Sequence, residues 1–160
     1  MEVFRIVRSR YAGSLAASGM ANRWNRKGEG VIYAGSSRSL STLEQIVHIG
    51  AVPKPDDYRV NVISLPDDPN HFRRIDIEEL PLEWRTMESY PSLQRIGSEW
   101  IRSMQSLILQ VPSAVIPQEY NFIVNTEHPD FKRRVRVKRV EEYFWDGRLL
   151  DLASKKRPAV

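Results

Sequence analysis

Val31-Ile32-Tyr33-Ala34-Gly35-Ser36-Ser37-Arg38-Ser39-Leu40-Ser41-Thr42-Leu43-Glu44 changes its periodicity partway along. The first four residues are a short β run of branched and aromatic side chains. Gly35 and the serines at 36, 37 and 39 punctuate the chain. A helix follows, with Leu40, Leu43 and Val47 at helical spacing. Ser41-Thr42-Leu43-Glu44 has the S-x-x-E form of a capping box, and Gly50 and Pro53 are placed to end the helix.

Upstream, Met1 to Val7 alternates like a strand, with Phe4 and Ile6 as its large apolar residues. Gly13 to Gly30 is rich in Gly, Ser, Asn and Arg and has no apolar period, so it reads as a long loop around Trp24. Loops of that length inside a domain are commonly functional. Downstream, Tyr58–Leu65 and Asn121–Asn125 read as strands, and Leu107–Val111 as extended chain. Val135 and Val137, alternating with Arg136 and Lys138, predict a further strand. Leu93, Ile96, Trp100, Met104 and Leu107 form a helical stripe with Pro91 near its start. Asp146-Gly147 predicts a hairpin turn returning through Leu149 and Leu150. Many short strands with two helices predict an α+β domain on a mostly antiparallel sheet.

The 160 residues suit one domain, with a core from about 4 to 150 and a basic tail at 151–160. There are no cysteines, which excludes disulfides, thiolate metal sites and cysteine nucleophiles. Charges interrupt the N-terminus too often for a signal peptide, and no run reaches the ~20 apolar residues of a membrane span. A soluble, cytoplasmic protein is expected. The net charge is +4, unevenly spread: residues 131–160 hold 10 Lys+Arg against 4 Asp+Glu. The run Lys132-Arg133-Arg134-Val135-Arg136-Val137-Lys138-Arg139 reads as a solvated strand face, or else as a surface for an acidic partner or a second copy. No aromatic is interleaved to stack bases, so direct nucleic-acid binding is not expected, and a basic nucleic-acid-binding module stands as the rival reading.

Nucleotide-binding glycine motifs and the serine-hydrolase elbow are absent from the sequence. The histidines at 48, 71 and 128 have no metal-ligand spacing, so no metal site is expected. Any chemistry must use Arg, Glu, Tyr and Ser.

An ordered series of short motifs spans nearly the whole chain. It comprises Arg23-Trp24-Asn25, Val31-Ile32-Tyr33, Leu43-Glu44 and Val111-Pro112-Ser113-Ala114-Val115-Ile116-Pro117. It continues with Asn121-Phe122-Ile123-Val124-Asn125, His128-Pro129-Asp130-Phe131 and Phe144-Trp145-Asp146-Gly147-Arg148-Leu149. In this series the chain resembles the RES-domain family. It departs at Ala21-Asn22, where the family often has glycines. The resemblance implies a single domain with a split antiparallel sheet similar to ADP-ribosyltransferases. It also implies an activity that degrades NAD+ as substrate, with no separate cofactor. The family's Arg, Glu and Ser fall on Arg23, Glu44 and Ser113, which it implies as catalytic. Toxic members pair with an Xre-type helix-turn-helix antitoxin, here expected to cover the cleft, with a homodimer inside a larger complex.

The residue types suit that chemistry. Guanidinium groups such as Arg5 and Arg23 bind pyrophosphate bidentately. A carboxylate such as Glu44 stabilises an oxocarbenium-like transition state; its alternative role is in the capping box. Tyr33 can stack on nicotinamide, Ser113 can hydrogen-bond ribose or amide, and Asn125 can contact the substrate or fix a turn. Trp24 is either a plug for the loop or a wall of the ligand site. The acceptor remains open between phosphate, water and a protein side chain.

Overall fold

A computed structural model describes residues 1–49 and 57–149. The strands are β1 (Glu2–Arg8), β2 (Val31–Gly35), β3 (Tyr58–Ser64), β4 (Phe72–Arg74), β5 (Ile108–Pro112), β6 (Tyr120–Asn125) and β7 (Arg136–Glu142). The α-helices are α1 (Arg38–Ile49), α2 (Tyr90–Ser103) and the single turn α3 (Phe131–Arg134). The strands form one sheet in the order β4-β5-β6-β2-β1-β3-β7. All neighbours are antiparallel except β4 and β5. The α+β class and the mostly antiparallel sheet expected from the sequence are therefore the observed architecture.

The sheet is split at its centre. β1 is in register with β3 along its full length, from Glu2–Ser64 to Arg8–Tyr58, and β2 with β6 from Val31–Asn125 to Gly35–Asn121. Between β1 and β2, the register holds at Phe4–Gly35 alone. Beyond that pairing the two halves diverge.

Strand alternation builds three cores. Val3, Ile32, Ala34, Ile63, Ile108, Phe122 and Val124 share one face across both halves. On the opposite face each half has its own core. Val31, Leu109, Val111 and Ile123 pack under α2 through Leu93, Trp100 and Ile101, with Trp24 and Trp84 beside them. Phe4, Ile6, Tyr58, Val60 and Val62 pack with Trp145 and the half-buried Ile46 of α1. A space lies between these two cores, over the split.

Several local expectations are corrected. Helix α1 starts at Arg38, and the Ser37 hydroxyl accepts the Leu40 amide at 3.0 Å as its cap. Ser41 therefore lies inside the helix, bonded to the carbonyls of Phe4 and Ser37, and no capping box joins it to Glu44. Leu43 and Val47 face outward, Val47 at 66 % exposure; Leu40 and Ile46 provide the packing face. Residues 147–149 begin a helical turn rather than a returning strand, with the Leu149 amide on Asp146. The proposed helix end at Gly50 and Pro53, Leu150, and the tail at 151–160 lie outside the described residues.

The basic run divides between α3 and β7, with buried Val135 at the break. Its cations are exposed, as the solvated-face reading expects. Lys138 and Arg139 both pair with Glu2, and Arg133 with Asp130. Hydrogen bonds from Arg139 and Lys138 hold the Glu2 carboxyl down to about 2. Charged side chains on this edge strand disfavour pairing with another chain.

Gly97 fixes how closely α2 approaches the Trp24 loop. A Cβ there would fall 1.7 Å from the Trp24 carbonyl oxygen, a backbone atom that cannot swing away. Alanine is the better helix former by about 1 kcal/mol, so a solvent-facing glycine would gain from the change. Gly97→Ala is expected instead to lose about 1–3 kcal/mol through overpacking, read as a lower denaturation midpoint.

Candidate active site

Glu44 reaches the split because α1 lies directly on it. A Cβ on Gly35 would sit 2.6 Å from Ser41 Oγ and 3.2 Å from the Ser41 nitrogen, so glycine permits this approach. The Ser41 hydroxyl donates to the Phe4 carbonyl at 2.8 Å, at the one point where the sheet halves pair. From outside, Arg38 makes a bidentate contact with Glu141, at 2.7 Å for each bond, and lies over the Phe4 ring at 4.1 Å. Thr42 and Tyr143 share a 2.8 Å hydrogen bond between hydroxyls. The helix is thus tied to both the seam and the far sheet edge.

One turn beyond Ser41, the half-buried Glu44 carboxylate meets the ends of β5 and β6. Its Oε1 accepts the Ser113 hydroxyl at 2.7 Å and the Asn121 amide Nδ2 at 2.5 Å. Among the described residues its Oε2 has no hydrogen-bond partner. Ser113 is 0 % exposed. Its Oγ also accepts the amides of Val115 and Ile116, each at 3.0 Å. Pro112 ends the strand, and the serine then folds the next turn around its own oxygen. The Ser113 hydroxyl, expected to contact ribose or amide, is engaged here with Glu44 and two backbone amides.

The opposite wall comes from the long loop. Asn22 and Asn25 form a tight backbone bridge with Arg23 and Trp24 at its tip. Asn25 is buried; its amide donates to the carbonyls of Met20 and Arg26, and its Oδ1 accepts the Tyr33 hydroxyl at 2.9 Å. The Tyr33 oxygen in turn accepts the Trp24 amide at 3.1 Å. Burial pushes the Tyr33 phenol well above its ordinary value, and the Trp24 amide only partly offsets this. Tyr33 is therefore a neutral clamp on the loop whose ring also lines the cleft. Trp24 is 3 % exposed and plugs the core under α2.

Arg23 donates to the Trp84 carbonyl at 2.8 Å and lies 4.6 Å from the centre of the Tyr90 ring. Arg85 donates its Nε to the Ala114 carbonyl at 2.9 Å, and Arg5 makes a long 3.4 Å contact to the Ala16 carbonyl. Burial pushes the Arg5 guanidinium below its usual value. Among the described residues no carboxylate lies within ion-pair distance of Arg5, Arg23 or Arg85. All three line one cavity of about 930 Å³ together with Tyr33, Glu44, Asn121 and His48. That volume is at the upper end of the range usual for small-molecule sites. No group of His, Cys, Asp or Glu among the described residues could hold a metal ion.

Of the residues singled out from the sequence, Arg5, Arg23, Tyr33 and Glu44 meet at this cavity, and Ser113 stands behind Glu44. Asn125 does not belong to it. It is 0 % exposed and satisfied by Ile101, Met104 and Glu127. Asn121 and Asn125 share a strand face, but four residues separate them by about 13 Å. Only Asn121 lies opposite Gly35 at the split. The motif contained both asparagines; nothing in it said which end meets α1. Arg85 was missed too, because it lies in an irregular segment without periodicity, which tertiary contacts such as the Arg23 bonds to the Trp84 and Thr86 carbonyls hold in place.

A RES-domain family model matches residues 2–146. A protein of Photorhabdus laumondii named Toxin Res is 32 % identical over 154 residues, covering 94 % of this chain and 97 % of that protein. A Sphingobium protein named Prs ADP-ribosylating toxin is 31 % identical over 129 residues, covering 80 % of each. Among solved structures, a chain from the crystal structure of the M. tuberculosis MbcT-MbcA toxin-antitoxin complex superposes with a TM-score of 0.73 at 13 % identity. It covers 96 % of this chain and 87 % of that one, a likeness of fold.

Removing the Ser113 hydroxyl leaves the Val115 and Ile116 amides without their acceptor. Both amides are only partly buried, so each costs less than the about 1–3 kcal/mol of a fully buried unsatisfied group. Ser113→Ala is therefore expected to lower stability measurably in urea unfolding; an unchanged midpoint would show that water replaces the hydroxyl.

Proposed function

We propose, from the premise that this chain belongs to the RES-domain family, that it is the toxin of a bacterial toxin–antitoxin pair and cleaves the nicotinamide–ribose bond of NAD+. The observation that carries the reading is Glu44. It is a half-buried carboxylate with one oxygen held by two donors and, among the described residues, the other without a hydrogen-bond partner, in a cavity whose arginines have no carboxylate partner among those residues.

NAD+ brings the matching charges. Its pyrophosphate is an anion for Arg5, Arg23 and Arg85, whose forked donors suit phosphate oxygens. Its nicotinamide is a flat cation that the aromatic wall of Tyr33 and Tyr90 can face. As the bond from ribose C1′ to the ring nitrogen breaks, nicotinamide leaves with the electron pair and the ribose becomes oxocarbenium-like. The free oxygen of Glu44 stabilises that positive charge. An acceptor then bonds to C1′ and loses its proton. Phosphate or water as acceptor depletes free NAD+, which is the first reading. A protein side chain as acceptor makes the enzyme an ADP-ribosyltransferase, a second reading favoured by the name of the Sphingobium relative.

The partner proposed is an Xre-type helix-turn-helix antitoxin that covers the cleft. Met20, Val47 and Met87 support this: all three are exposed apolar residues on the cavity lining, from three separate segments. Grouped apolar exposure of this kind marks interaction surfaces.

Incubation of purified protein with NAD+, with and without phosphate, is expected to release nicotinamide, and mass spectrometry of the ribosyl product identifies the acceptor. Glu44→Gln should retain the fold and lose about 10²–10³-fold in turnover. A wild-type protein that leaves NAD+ intact would overturn the reading.

The chain expressed alone should arrest growth, and co-expression with its genomic neighbour should relieve the arrest. Association of the two proteins is expected to slow as salt rises, given the arginine-lined cleft. Harmless expression alone would remove the toxin reading.

A further inference from the structure

We propose that Asn121 is a positioning residue for NAD+ cleavage, acting with Ser113 to fix one oxygen of Glu44 so that the other is the one presented to the substrate. The inference rests on the NAD+-cleaving reading and adds to it a division of labour between the two oxygens of a single carboxylate.

A glutamate side chain has three rotatable bonds, and its terminal torsion is broad and roughly two-fold. Left to itself, the carboxylate would exchange its oxygens and swing toward the cleft arginines. Here two donors converge on Oε1: the Ser113 hydroxyl at 2.7 Å and the Asn121 amide at 2.5 Å. One comes from the turn just after β5 and the other from β6, so together they define the plane as well as the direction of the carboxylate. Both donors are themselves fixed. Ser113 is pinned by the Val115 and Ile116 amides, and its own amide donates to Glu119 at 2.9 Å. Asn121 sits in register between Gly35 of β2 and Val111 of β5. Glycine opposite Asn121 leaves no side chain between the amide and the helix, so Glu44 can cross the seam to it.

The clamp solves a problem set by the cavity's charge. Other titratable or charged groups lining it are Arg5 from β1, Tyr33 from β2, His48 from α1, Tyr90 from α2, and Arg23 and Arg85 from loops. A carboxylate free to rotate would pair with a guanidinium, removing an anion site and the negative charge needed at the ribose. Neutral donors hold Glu44 without using a cation.

The test compares Asn121→Ala and Asn121→Asp with the wild-type chain in nicotinamide release from NAD+. Asn121→Ala is expected to lower kcat roughly 10- to 100-fold, the scale of one hydrogen bond to a charged group. KM should stay within about twofold, since the arginines are untouched. Asn121→Asp places a second carboxyl against Glu44, which can donate only when protonated. Its activity relative to wild type should therefore be lowest near pH 8 and rise as the pH falls toward 5. A variant with unchanged kcat per folded molecule, or an Asn121→Asp profile parallel to that of the wild type, overturns the proposal. One measurement is independent of turnover: the side-chain amide protons of Asn121, followed by NMR, should move on Glu44→Ala. If the wild-type chain releases no nicotinamide, the functional reading falls. The NMR arm then still decides the clamp: an unmoved amide signal refutes it, and a moved one supports the contact but removes its link to NAD+ cleavage.

Discussion

The pairing of Phe4 with Gly35 is the point on which the rest of the structure depends. Two half-sheets meet there and diverge on either side, with β1 in register with β3 along its length and β2 with β6. A fully zipped sheet would bury its centre and leave no room for a polar cleft. A fully separated pair would not hold α1 at a fixed height. The single pairing, reinforced by the Ser41 hydroxyl on the Phe4 carbonyl, gives both an opening and a fixed floor.

The opening is chemically polarised. One wall is α1, with Glu44 held by neutral donors. The other is the loop around Arg23, held by Tyr33, Asn25 and the plug of Trp24 in the core. Among the described residues the three arginines of the cavity have no carboxylate partners, although the same chain pairs Arg38, Lys138 and Arg139 with carboxylates elsewhere. Arg5 and Arg23 are half-buried and Arg85 is exposed; leaving the two half-buried cations without a carboxylate costs desolvation energy.

Glu44, Ser113 and Asn121 show how a motif residue and a working residue differ. Ser113 belongs to the motif that marks the family, yet it faces away from the cavity and acts by holding Glu44. Asn121 performs the same service from another strand. Arg85, in an irregular segment, is placed at the cleft by its own bond to the Ala114 carbonyl and by the Arg23 bonds to the carbonyls on either side of it.

The sequence by itself determined the class of the fold and the chemical vocabulary of the site. Alternation at β1 and β3 is a backbone period of two that survives any arrangement of the strands, and the short apolar runs at β2 and β6 fit strands buried on both faces. Arg23, Tyr33 and Glu44 were legible through the ordered series of motifs in which the chain resembles the RES-domain family. Only the tertiary structure decided which oxygen of Glu44 is free, that Ser113 lies behind it, and that Asn121 rather than Asn125 reaches it. Those outcomes depend on register and on the depth at which α1 sits over Gly35. Register and depth are set by contacts between residues tens of positions apart, which no local spacing encodes.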